Sequence, residues 1–97
     1  MIDILEFRDS AGALLGGFPV SKLETYVVGT DDIDVVFNDV TGTDGIVTVT
    51  LTAASGYTAS DVLTELMDAV GSLTGANTLR AVISAEKSSV LGEVAVE

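Results

Sequence analysis

The chain has 97 residues, the length of one domain, and sets fifteen acidic residues against four basic ones (Arg8, Lys22, Arg80 and Lys87), for a formal charge of −11. Lys and Arg build the footprint that grips a phosphate backbone or an anionic bilayer, so this balance excludes direct nucleic-acid binding and membrane-surface docking. The sequence has no His and no Cys, which removes disulfides, zinc–thiolate sites, thiol chemistry and a His base for any Ser or Thr nucleophile.

Residues 2–8 read as a strand with apolar side chains on both faces, Ile2 and Ile4 on one and Leu5 and Phe7 on the other. The opening residues Met1-Ile2-Asp3-Ile4-Leu5-Glu6 are acidic, unlike a leader or signal-peptide core. A turn at 9–12 precedes a short strand at 13–15, which Gly16-Gly17 is expected to break before an irregular link at Pro19. The apolar run at 13–20 falls far short of the ~20 residues that span a bilayer. Strands are expected at 22–28, at 33–38 with Ile33, Val35 and Phe37 inward, and at 46–53. The last alternates Val47, Val49, Leu51 and Ala53 with Thr48, Thr50 and Thr52, the pattern of a half-buried pleated surface.

One helix follows. Thr58-Ala59-Ser60-Asp61 has the spacing of a capping box with Asp for the usual Glu. Ala59, Val62, Leu63, Leu66, Met67 and Val70 form its apolar stripe, Asp61, Thr64, Glu65 and Asp68 face away, and Gly71 is the expected stop. Strands at 79–85 and 90–96, joined by a turn at 86–89, read as a closing hairpin. The order predicts an α+β domain spanning 1–97, a small antiparallel or mixed sheet with one amphipathic helix packed on a face.

The candidate site residues are carboxylates. Asp31, Asp32, Asp34, Asp39 and Asp44 cluster around two loops, and hard cations such as calcium take six to eight oxygen ligands from such sets. Their spacing fits no EF-hand, and Asp is common in turns. The pairs Asp32/Asp34 and Asp61/Glu65 could do acid–base work, but no Trp or aromatic platform lies beside them. The glycine-rich segments lack the Lys-Ser/Thr of a phosphate loop. No enzyme activity and no cofactor is expected.

Apolar residues make up 47% of the chain and the mean hydropathy is +0.52, while a domain this small buries only about 60–65% of its unfolded surface. Burial against other copies or other proteins is therefore expected. Its residues are expected to be Leu5, Phe7, Val36, Val82, Leu91, Val94 and Val96.

The stretches IDILEFRDSAGALLGG and IDVVFNDVTGTDGIVTVTLTAASGYTASDVLTELMDAV, with the C-terminal strands, resemble the small acidic structural proteins of tailed marine and cyanobacterial bacteriophages. That resemblance implies a capsid-decorating or other self-assembling virion subunit. Its partners would be its own copies and a major capsid or other virion protein, and its location the virion or the host cytoplasm during assembly. The alternative is a calcium-dependent binding or adhesion module using the Asp31–Asp44 loops.

Overall fold

The computed structural model of the chain describes residues 3–38, 45–75 and 80–96. The elements in order are β1 (Ile4–Arg8), β2 (Leu14–Pro19), a 3-10 turn (Val20–Lys22), β3 (Leu23–Val28), β4 (Asp32–Asn38), β5 (Ile46–Ala53), α1 (Ala59–Gly75), β6 (Arg80–Ser84) and β7 (Leu91–Val96). The fold is α+β, as expected, but its strands form two sheets. One has the order β2-β1-β6 and the other β3-β4-β5-β7. In the first, β1 pairs antiparallel with β2 and parallel with β6; the second is antiparallel throughout.

The alternating Val, Ile, Leu and Phe residues explain the two layers. Ile33, Val35 and Phe37 on β4 and Val47, Val49 and Leu51 on β5 are buried, and they share one core with Leu5 and Phe7 of β1 and Ile83 of β6. The three phenylalanines knit the sheets together. Phe18 of β2 stacks on Phe37 of β4 with ring centroids 5.0 Å apart, and Phe7 of β1 meets Phe37 edge-on at 5.9 Å. Such pairs contribute about 0.5–1.5 kcal/mol beyond their burial. Helix α1 packs against β6, β5, β4 and β1 and buries Ala59, Val62, Leu66 and Leu73.

The capping box forms as its spacing predicts. The Thr58 N–H donates to Asp61 Oδ2 at 2.9 Å, and the Asp61 N–H donates to Thr58 Oγ1 at 3.4 Å. Gly71 does not end the helix, which runs on to Gly75. Met67 is exposed, and Glu65 is half-buried, accepting a 2.7 Å bond from the Ser88 hydroxyl. Gly16 and Gly17 do not break β2 but lie inside it. A Cβ on Gly16 would stand 3.0 Å from the Phe18 ring, so a residue without a side chain lets that ring lie over the strand.

The C-terminal strands are not a hairpin. β6 pairs with β1, whereas β7 pairs with β5 in the other sheet. Ser88 fixes the switch: its Oγ accepts from the N–H groups of Val90 and Leu91 at 3.1 and 3.2 Å while donating to Glu65. The turn is thereby tied to the helix, and Leu91 and Val94 enter the core beside Ala53 and Leu51.

Candidate functional site

Three of the strands carry bulges, and these decide which side chains reach the surface. On β3, Leu23 pairs with Phe37 but Thr25 pairs with Val36, so Glu24 is an extra residue and the inward–outward alternation reverses after it. Tyr26 and Val28 then oppose Val35 and Ile33 on the core side, and Val27 opposes Asp34 on the outer side. The other layer does not cover this end of β3. Tyr26, Val27 and Val28 are 42%, 60% and 51% exposed.

β3 is also a sheet edge. One side of its backbone presents N–H and C=O groups that a further strand can pair. Natural edges are blunted by Pro, charge or cover. Edge β2 holds Pro19 and two glycines, edge β6 begins at Arg80, and edge β7 carries Glu93. Beyond its bulge, β3 reads Thr25-Tyr26-Val27-Val28, with no charge and no proline.

The expected interface residues divide sharply. Leu5, Phe7, Leu91 and Val94 are buried in the core, which corrects their assignment to an outer surface. The opposite layer covers the Leu5 and Phe7 face of β1, and a bulge at Gly92 turns Leu91 and Val94 to one buried side of β7. Val96 is half-buried against that core. Val36 is half-buried on the outer face of the four-stranded sheet, between Thr25 and Thr48. Val82 alone of the seven is exposed, on the outer face of the three-stranded sheet. Tyr26, Val27 and Val28 escaped the sequence reading because strict alternation hides a bulge, although the uncharged run 25–28 was a usable signal.

Among the acidic residues, Asp32 and Asp34 share the outer face of β4 opposite Thr52 and Thr50. Asp34 Oδ1 accepts a 2.8 Å bond from Thr50 Oγ1. Asp31 is exposed at the turn, where its carbonyl accepts from the Ala53 N–H at 2.8 Å. Asp39 and Asp44 lie outside the described residues. Among the described residues no three metal-capable side chains converge. Asp61 is exposed at the helix start, its carboxylate held by the Thr58 cap, while Glu65 binds Ser88, so this pair serves the fold.

Three of the four basic residues, dispersed in sequence, gather in space. Arg8, Arg80 and Lys87 line one concavity of about 340 Å³ on the outer face of β1 and β6, with Glu6, Glu86, Val82 and Ser84. Glu6 lies between the arginines, 3.8 Å from Arg8 and 3.5 Å from Arg80. Among the described residues no helix is long and apolar enough to cross a membrane. Comparison with protein-family models, curated proteins and solved structures yields no match to this chain.

Proposed function

We propose that this chain is a non-enzymatic structural subunit that works by assembling with its own copies, as a capsid-decorating or accessory virion protein or as the unit of another lattice or filament. The observation that carries this reading is the open edge of β3, with Tyr26, Val27 and Val28 exposed and only Glu24 charged along the strand. A six-residue strand of this kind is completed by adding another strand, whose backbone supplies the missing hydrogen bonds while side chains cover the apolar positions. The virion setting follows from the resemblance to phage structural proteins, and the lack of His and Cys agrees with a role in which no bond is made or broken.

The edge can be blocked without touching the core. Val28→Lys places a charge on an exposed position of the strand, on the side away from Asp34, the device natural edges use against pairing. Sedimentation velocity is expected to show the variant folded but associating at least about tenfold more weakly than the parent chain, a change of roughly 1.4 kcal/mol. Met67→Lys, exposed on the helix, should leave association unchanged. Equal association of Val28→Lys and the parent chain would count against β3 as the contact.

A further inference from the structure

The outer faces of the two sheets both face away from a shared core, and they differ in charge. On the three-stranded sheet, Arg8, Arg80 and Lys87 meet two carboxylates, Glu6 and Glu86, in one concavity. Elsewhere the chain has Lys22 alone against thirteen carboxylates. On the four-stranded sheet, Asp32 and Glu93 flank Thr52 in one cross-strand row, and Asp34 lies next to them opposite Thr50. The polar side of the concavity is also incompletely satisfied. Ser84 is 6% exposed, and its Oγ makes no hydrogen bond among the described residues; Glu6 Oε1 makes none either and has only its 3.8 Å ion pair with Arg8. Each face carries exposed apolar side chains beside its charges: Leu14 and Val82 on the first, Val27 and Ile46 on the second.

We infer that the cationic concavity on β1 and β6 receives the acidic outer face of β4, β5 and β7 from a second copy of this chain, so that copies stack head to tail. The inference rests on the self-assembly reading and gives it a direction. Two different patches meet, so the contact is heterologous and its repetition generates a ring or an open filament rather than a closed pair. Opposite charge selects this pairing: concavity against concavity or acidic face against acidic face sets like charges together, which costs affinity. The contact is distinct from strand addition at β3, and together the two directions of growth would make a sheet-like lattice.

A charge-swap experiment decides the matter. One chain carries Arg80→Glu and Lys87→Glu; the other carries Asp32→Lys and Glu93→Lys. Each is checked for a native far-UV spectrum and cooperative melting, then sized alone and mixed by light scattering, with Val28→Lys in both backgrounds to silence the β3 edge from the side of the strand away from the acidic face. Either chain alone opposes like charges at the contact and is expected to associate at least about tenfold more weakly than the Val28→Lys parent. The equimolar mixture restores opposite charges at every junction and is expected to recover the parent's size. If a reversal unfolds the chain, Arg80→Gln with Lys87→Gln tests the same loss. Unchanged size in the single chains, or no recovery on mixing, overturns head-to-tail stacking while leaving assembly through β3 intact. A parent chain that is monomeric even with its β3 edge unblocked overturns the assembly reading itself.

Discussion

Single side chains show where alternation and helical spacing carry information and where they do not. Leu66 is fully buried on α1, and Asp68, two residues later, is exposed. Both placements follow from the apolar stripe, because a residue in mid-stripe must face the sheets. Glu65 and Met67 do not follow it. Glu65 is drawn inward by Ser88, 23 residues away, and no local spacing reveals a partner that distant. Leu66→Asp puts an unpaired carboxylate in the core at a cost of several kcal/mol, comparable with the roughly 5–15 kcal/mol that holds a whole domain together. Circular dichroism is expected to find that variant unfolded, while Asp68→Ala melts within about 0.5 kcal/mol of the parent. Similar melting of the two would contradict the assigned orientation of the helix.

At the scale of elements, the strands other than the glycine-bearing β2 were legible in the sequence, and their faces only in part. β4 and β5 keep strict period-two alternation, and their buried residues are those that alternation selects. β3 and β7 do not, because each inserts an extra residue. On β7, Ala53 pairs with Leu91 and Thr52 with Glu93, which leaves Gly92 as the bulge and brings Leu91 and Val94 to the same buried side. A Cβ on Gly92 would approach the Ala53 carbonyl oxygen at 3.3 Å and the Ala54 Cα at 3.2 Å, so the bulge depends on glycine's lack of a side chain. Removing residues 90–97 strips β7 from β5 and takes Leu91 and Val94 out of the core. Losing a buried Leu side chain alone costs roughly 2–5 kcal/mol, and each 1 kcal/mol lowers the Tm of a domain this size by about 4–8 °C. Calorimetry on the truncated chain is expected to show a Tm at least about 10 °C lower, or no cooperative transition. An unchanged Tm would mean that β7 contributes nothing to the fold.

For the whole molecule, the order of elements foretold an α+β domain and the composition apolar surface left over, but neither foretold that the strands divide between two layers. Period two assigns a strand an inside and an outside; it does not say which sheet the strand joins. The parallel pairing of β1 with β6 links segments more than seventy residues apart, so the final pair reads locally as a hairpin although its strands belong to different layers. The same division converts Leu5, Phe7, Leu91 and Val94 from supposed contact residues into core and moves the unsatisfied surface to β3 and the outer faces. In the assembly we propose, this surface is met by other copies. Multi-angle light scattering on the purified parent chain at micromolar concentration, with and without a chelator, tests it most directly. The expected result is a mass several times the 9.9 kDa of the chain that chelation leaves unchanged. A stable 9.9 kDa particle across that range would contradict self-assembly, and a larger mass that collapses on chelation would transfer the function to the calcium-dependent alternative.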